Sequence, residues 1–312
     1  MKAIVCTKYG PPEVLQLKEV AKPIPNDAEV LIKIHASAVT VSDCIVRSGK
    51  VSTLLWIPMR IFVGFRSPRR SILGLELAGE IEAIGKDIKR FKEGDQVFAF
   101  TGRQFGAYAE YTCMLEDGLY MPGDSLVAIK PTNASYEEAA SSPSRGTLAL
   151  YYLKKGNIQR GQKVLIYGAS GGVGSFAVQL AKYFGAEVTG VCSTTNLELV
   201  KSLGADIVID YTREEFATRV ERYDFIFDAA GKGKSSKVKL LCKKALVPNG
   251  EYISVDDGTP KIHIEYLLLL RELIEAGKIR PVIDRCYPLE QIAEAHRCVE
   301  KGHKRGNVAI TV

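Results

Sequence analysis

The stretch Lys163-Val-Leu-Ile-Tyr-Gly168-Ala-Ser-Gly171-Gly172-Val-Gly174-Ser-Phe-Ala-Val-Gln-Leu-Ala-Lys182 decides the fold. A β-branched, apolar run leads into glycines spaced Gly168-x-x-Gly171-x-x-Gly174, and a helical pattern over 173–184 follows without a break. Glycine permits a tight strand-to-helix turn and lets the backbone approach a pyrophosphate. The helix N-terminus adds free N–H groups and the positive end of a dipole. A glycine triplet alone is a weak signal, since a turn can be glycine-rich without holding a ligand. After a strand and at the head of a helix, it has the context that a dinucleotide-binding turn requires. Gly168, Ser170, Gly171, Gly172, Val173 and Gly174 are the candidate phosphate-binding residues.

Working outward, strands are expected over 187–192, 207–211, 225–228 and 252–255, alternating with helices over 197–203, 213–221 and 235–241. That alternation implies a parallel sheet covered by helices on both faces. Upstream, Ser135-x-x-Glu138 reads as a capping box that opens a helix. The first 120 or so residues differ. Short alternating or β-branched runs over 3–7, 29–38, 77–84 and 96–100 lie between Gly, Pro and Asp turn signals, with a long irregular insertion near 47–72. The tail carries a helix over 266–276, a strand-like run over 280–284, a helix from 289 to about 300 and a last strand over 308–312. The expected architecture is α/β. Residues 1–126 and 279–312 would form one discontinuous β-rich domain, and residues 127–278 a doubly wound nucleotide-binding domain.

Composition sets the outer limits. The chain has 312 residues, 46% of them hydrophobic and 25% charged, with 42 Lys and Arg against 36 Asp and Glu for a formal charge of +6. Those values exclude a disordered chain, a collagen-like fibre and a small disulfide-stapled domain. The charge reads as mild and dispersed, and Arg66, Arg69 and Arg70 follow an apolar run as solvated loop residues. No nucleic-acid partner is expected. Seven cysteines are odd in number and lack any Cys-x-x-Cys pair, so neither a disulfide framework nor a thiolate zinc cage is signalled. Reduced thiols in a cytoplasm are expected. Met1-Lys-Ala-Ile-Val shows no signal-peptide pattern, and the most apolar stretch, 54–65, is interrupted by Pro58 and Arg60 and is too short to span a bilayer.

The end of the second parallel strand reports on the adenosine ribose. It reads Gly190-Val-Cys192-Ser193-Thr194-Thr195-Asn196, with hydroxyls and no carboxylate until Glu198. An acidic residue there would favour a free 2′-hydroxyl, whereas hydroxyls suit a 2′-phosphate. NADPH is therefore the expected cofactor, with Ser193, Thr194 and Asn196 as candidate ligands, although no Arg or Lys sits at the tip itself. Tyr211, ending the third strand, either flanks the adenine or simply packs.

Read together with Tyr9-Gly-Pro-Pro-Glu-Val-Leu, Gly74-x-Glu76-x-Ala-Gly79, Phe91-Lys-x-Gly94-Asp95, Gly106-Ala-Tyr-Ala-Glu110, Leu203-Gly-Ala205-Asp206, Phe227-Asp-Ala-Ala-Gly231 and Gly302-His-x-x-Gly306, the chain resembles the medium-chain dehydrogenase/reductase superfamily. Within it, the sequence is similar to the zinc-free, zeta-crystallin-like NADPH-dependent quinone and enone reductases, over nearly its whole length. The resemblance implies a GroES-like β-barrel domain joined to a Rossmann domain, with the active site in the cleft between them. It also implies that Ala229, Ala230 and Ser254, ending the later strands, approach the nicotinamide ribose and amide. Relatives usually carry a longer loop after Val255 and a sixth edge strand that pairs across a dimer. Its loss here implies a monomer or an atypical dimer.

Zinc-dependent relatives have Gly-His-Glu where this chain has Gly74-Leu75-Glu76, so a ligand is replaced by hydrocarbon, and no metal is expected. The family's Asn-x-x-Asp motif near the nicotinamide reads Thr40-Val-Ser-Asp43 here, with Ile45 where a tyrosine often lies. Thr40 either hydrogen-bonds a carbonyl oxygen or is an ordinary strand-end threonine, and Asp43 is read as an orienting or structural carboxylate. Arg145 is unusual in the stretch that in the family reads Pro-x-x-Gly-x-Thr-Ala, and it could reach an anionic phosphate or substrate. Trp56, Met59, Phe62 and Phe65 suggest an apolar lid, or packing beneath the insertion. The implied reaction is hydride transfer from NADPH to a small hydrophobic quinone or α,β-unsaturated carbonyl. The rival is a non-catalytic NADPH-binding sensor or binding protein.

Overall fold

The computed structural model describes residues 1–50, 60, 61, 63–116, 125–213, 222–231, 236–258 and 260–312, with the backbone alone at 236–239. Two compact units result: Met1–Ser144 with His263–Arg271 and Ile283–Val312, and Arg145–Ile262 with Glu272–Val282.

In the first unit, β1 (Lys2–Cys6) pairs antiparallel with β2 (Leu15–Glu19). A larger sheet is built on β3 (Glu29–Val39), followed by β4 (Glu76–Ile84), β5 (Gln96–Phe100), β6 (Tyr111–Leu115) and β7 (Leu126–Ile129). β3 is long enough to serve two partners on one edge. Its first half, Glu29 to Lys33, pairs with β6, while β4 runs along the other edge. Register shifts between Leu31 and Ile32 and between Ile34 and Ala36 mark bulges, which bend a strand and increase its twist. Alternation along β3 turns Val30, Ile32 and Ile34 into a core with Leu77, Val97 and Met114.

The second unit holds β8 (Lys163–Tyr167), β9 (Glu187–Cys192), β10 (Ile207–Asp210), β11 (Tyr223–Asp228) and β12 (Leu246–Ser254). All pair in parallel, in the order β10-β9-β8-β11-β12. This is the doubly wound order, with its reversal beside β8. Val164, Leu165 and Ile166 are fully buried, as a strand covered on both faces requires. Among the described residues the sheet ends at β12.

Several expected boundaries move. β12 starts at Leu246, well before 252, because a register shift between Tyr223 and Phe225 absorbs the Pro248-Asn249-Gly250 irregularity. The helix expected over 213–221 lies, from 214 on, outside the described residues, and that over 235–241 is Ser236–Lys244. The Ser135 cap forms as expected, but its helix stops at Ala140 and a second, Pro143–Lys155, begins at a proline suited to a first turn. In the tail, β13 is Ile283–Pro288 rather than 280–284, where Pro281 has no N–H to donate to a ladder. β13 pairs in parallel with β14 (Asn307–Thr311), which returns to the second half of β3.

A second core of the first unit packs Ile4, Leu73, Tyr108, Ile292 and Val308 around Cys44 and His296. Cys44 Sγ lies 3.4 Å from His296 Nδ1, and His296 Nε2 is buried with no hydrogen-bond partner. Burial, reinforced by the nearby Arg47 guanidinium, pushes His296 down to about 3. Burial, reinforced by Asp43 and Glu300, pushes the Cys44 thiol up to about 12. Near pH 7 the thiol therefore offers no thiolate and the imidazole is only a weak base.

His296 ties stability to acidity. Its folded value lies below that of an unfolded histidine, about 6.5, so the unfolded chain binds the extra proton. Its contribution is complete above that unfolded value and is lost as pH falls toward about 3. Denaturant unfolding should show about 2 kcal/mol less stability at about pH 5 than at about pH 7 from this group. His296→Phe should flatten that component, and an unchanged pH slope would contradict it.

Candidate nucleotide site

Five loops leave the carboxyl ends of β8 to β12, and they carry every cofactor-binding residue expected from the sequence. The turn after β8 is held internally first. Gly168 and Ala169 N–H both donate to the Val191 carbonyl at 3.0 Å, and Gly171 N–H donates to Gly168 at 3.0 Å. Gly168 has φ +75°, open to glycine, and a Cβ there would meet the Ala230 methyl at 3.1 Å. A Cβ on Gly174 would stand 2.1 Å from the Gly168 carbonyl oxygen. No side chain caps the helix Gly172–Tyr183, whose N-cap is Gly171. The N–H groups of Gly172, Val173 and Gly174 have no acceptor within the helix. A backbone cradle with an uncapped positive end suits the pyrophosphate of a dinucleotide.

Beside it, Asn196 Nδ2 donates to Ser170 Oγ and to Ser193 Oγ, each at 3.1 Å. Asn196 Oδ1 is buried and has no hydrogen-bond partner, an acceptor suited to a ribose hydroxyl. Ser193, Thr194 and Thr195 follow at the tip of β9, with both threonines exposed. Tyr211 is 42% exposed, and its ring lies 6.2 Å from that of Tyr167.

The charge at this tip differs from the sequence reading in two ways. Although no carboxylate precedes Glu198 along the β9 loop, Asp210 at the end of β10 reaches it: Thr194 Oγ1 donates to Asp210 Oδ2 at 2.5 Å. The Thr194 hydroxyl proton is thus engaged. The Thr212 N–H and hydroxyl donate to Asp210 Oδ1 at 2.9 and 2.6 Å. The Thr194 and Thr212 hydrogen bonds hold the Asp210 carboxyl below the usual carboxylate range. The tip also has a guanidinium that the sequence reading missed. Arg213 Nε lies 3.8 Å from Asp210 Oδ2, with its side chain 75% exposed. Its position two residues past Tyr211 was the available signal.

At the β11 and β12 ends, Asp228 organises the loop. Its Oδ1 accepts the Ala230 and Gly231 N–H groups at 3.0 and 3.2 Å, and its Oδ2 accepts the Tyr252 hydroxyl at 2.9 Å. Ala229 N–H donates to the Tyr167 carbonyl. Ala229 and Ala230 therefore spend their donors within the protein and can offer only carbonyls and methyls to a ligand. Ser254 is buried, and its N–H donates to Asp257 Oδ2 at 2.8 Å.

Thr40 and Asp43 belong to the first unit, where they meet each other. Thr40 Oγ1 accepts the Asp43 N–H at 2.9 Å, and Asp43 Oδ2 accepts the Thr40 N–H at 2.8 Å. They form the capping box of the helix Val41–Ser48. Leu75 is buried beside Glu76, whose Oε1 accepts the Ser144 N–H at 2.6 Å. Arg145 is buried, and Phe65 is exposed. Trp56, Met59 and Phe62 lie outside the described residues. Among the described residues, no group of three or more His, Cys, Asp or Glu side chains is placed to hold a metal ion, and no helix is long and apolar enough to cross a membrane.

A bulged, mainly antiparallel sheet in one unit and a 3-2-1-4-5 parallel sheet with a glycine cradle in the other define the two-domain class of nucleotide-linked dehydrogenases. Residues 26–124 match the family model described as the alcohol dehydrogenase GroES-like domain. Residues 172–269 and 259–310 match models described as zinc-binding dehydrogenase. The chain is 36% identical over 330 residues to a 2-methylene-furan-3-one reductase of Solanum lycopersicum, covering 99% of this chain and 79% of that one. It is 33% identical to the chloroplastic NADPH-dependent alkenal/one oxidoreductase of Arabidopsis thaliana, with the same coverage. Among solved structures, the quinone oxidoreductase of Coxiella burnetii superposes with a TM-score of 0.81 at 28% identity, over 100% of this chain and 99% of that one. The chain belongs to the medium-chain dehydrogenase/reductase superfamily, in its zeta-crystallin-like group.

The close approach at Gly174 makes a specific demand. Gly174→Ala should displace the turn, costing about 2 kcal/mol in thermal or denaturant unfolding and weakening dinucleotide binding more than tenfold by titration. A variant with unchanged stability and affinity would contradict the role given to this contact.

Proposed function

We propose that the chain is a zinc-independent reductase that uses NADPH to reduce a small hydrophobic quinone or α,β-unsaturated carbonyl. One observation carries the reading: the turn after the central parallel strand opens a helix whose glycine-rich N-terminus has no side-chain cap. The relatives named as an alkenal/one oxidoreductase, a furanone reductase and a quinone oxidoreductase support the reaction class. The nicotinamide, when bound, supplies a hydride to the conjugated carbon. The protein has to bind, orient and exclude water, which needs no strong acid–base pair.

Gly172, Val173 and Gly174 would hold the pyrophosphate through their N–H groups, and Asn196 Oδ1 a ribose hydroxyl. Ala229, Ala230 and Ser254 would border the nicotinamide end. The capping bond at Thr40 uses a lone pair of Oγ1, leaving its hydroxyl hydrogen for a carbonyl oxygen, while Asp43 positions that threonine through its backbone. Leu75 offers no donor atom, which supports chemistry without a metal. Seven unpaired cysteines suit a reducing compartment such as the cytoplasm.

A second reading, NADPH binding without turnover, is favoured by the same capping box, because it gives both polar residues a structural task. Nicotinamide absorbance separates the two. EDTA-dialysed protein should oxidise NADPH in the presence of members of a quinone and enone panel, and NADH at least about tenfold less efficiently. Tight NADPH binding with no turnover would move the assignment to the binding role.

The candidate reader of the 2′-phosphate is Arg213, whose guanidinium is exposed and only loosely paired with the Asp210 carboxylate, at 3.8 Å. Arg213→Ala should raise the KM for NADPH about tenfold or more and leave that for NADH unchanged, the expected loss of a charge-assisted bond. Equal effects on both nucleotides would remove Arg213 from cofactor selection.

A further inference from the structure

We propose that Tyr152 is a positioning residue for the nicotinamide half of the cofactor, an inference that rests on the dinucleotide reading above. Tyr152 lies on the helix Pro143–Lys155 and is fully buried. It acts through the turn Ser254 to Asp257, which follows β12 and begins at the serine placed beside the nicotinamide.

A buried phenol has to place its hydroxyl against an acceptor. Here one hydroxyl serves two. Tyr152 Oη donates to the Val255 carbonyl at 2.8 Å and to the Asp257 carbonyl at 3.0 Å. Both carbonyls lie past Ser254, the last β12 residue in register with β11, so the ladder does not hold them. The ring supplies a rigid arm, its centroid 5.4 Å from that of Phe227 in β11. The helix end is seated closely on the same strand, because a Cβ on Gly156 would stand 2.2 Å from the Phe225 ring. Burial, reinforced by Tyr151, Asp257 and Asp256, pushes the Tyr152 hydroxyl up to about 12, so it keeps its hydrogen near pH 7.

The turn passes that order to Ser254. Asp257 N–H donates to the Ser254 carbonyl at 2.9 Å, and Ser254 N–H donates to Asp257 Oδ2 at 2.8 Å. Val255 N–H donates to the Asp228 carbonyl at 2.9 Å, which ties the turn to the loop carrying Ala229 and Ala230. Ser254 Oγ accepts the Asp256 N–H at 3.4 Å through a lone pair, leaving its hydroxyl hydrogen for an acceptor such as the nicotinamide carboxamide oxygen. Without the Tyr152 hydroxyl, two carbonyls lose their donor and the turn gains freedom that binding must then remove. None of these bonds touches Gly172, Gly174 or Asn196, so the adenosine half is unaffected.

Titrations of the full chain with NADPH and with adenosine 2′,5′-bisphosphate, the adenosine-side fragment of that cofactor, test the proposal. Tyr152→Phe should weaken NADPH binding about fivefold or more and leave the fragment within about twofold. Asp257→Ala, which frees the Ser254 N–H, should repeat that selective loss. Tyr151→Phe, which removes a neighbouring hydroxyl, should leave both ligands unchanged. The ratio of affinities is read without turnover, so it decides the proposal whether or not an acceptor is reduced. Equal weakening of both ligands in Tyr152→Phe, or no weakening of either, would overturn it. So would the same selective loss in Tyr151→Phe, which would assign the effect to helix packing. A wild-type chain that binds neither ligand would overturn the dinucleotide reading and the proposal with it.

Discussion

A methyl group on Gly174 would stand 2.1 Å from the carbonyl oxygen of Gly168, and that approach governs how β8 passes into the helix behind it. With the turn closed this tightly, Gly168 and Ala169 donate to Val191 and lock the β8 loop to β9. The same closure sets Gly168 against Ala230 and so locks it to the β11 loop. Three strand ends are thereby tied together at the point where the strand order reverses. The N-terminal N–H groups left over are those that a bound phosphate can use.

Around this cradle, polar side chains mainly hold one another. Asp228 gathers three donors, Asp210 gathers the Thr194 and Thr212 hydroxyls, and Asn196 bridges Ser170 and Ser193. Such networks fix rotamers before a ligand arrives, which lowers the ordering cost of binding. One group stands apart from that self-sufficiency, the buried Asn196 Oδ1, while the exposed Arg213 guanidinium is loosely paired with Asp210. In the first unit, the same economy appears as the Thr40–Asp43 cap and the neutral Cys44–His296 contact. Residues that look reactive by type are stabilising a helix end or filling a core.

The parallel sheet was legible because its cause is local. Apolar strands such as Lys163–Tyr167 and glycine turns announce themselves within a few residues, and the alternation with helices fixes the topology. The Ser135 cap was legible for the same reason. The Thr40–Asp43 cap has the same spacing, but the family motif at these residues suits chemistry equally well, so the linear pattern alone does not separate the two roles. β6 and β7 were missed because their partners are distant in sequence, and β3 changes partners midway along its length. The encounter of Thr194 with Asp210, and with it the place of Arg213, depends on two adjacent strand tips that no linear spacing reveals.

Metal-free hydride delivery at this cradle is the central claim. The most direct measurement follows deuterium from NADPH carrying deuterium at both nicotinamide C4 positions into an enone product made by EDTA-dialysed protein, read by mass spectrometry. The account predicts one deuterium on the β-carbon of the product. Product without deuterium, or labelled product only after zinc is restored, would contradict it.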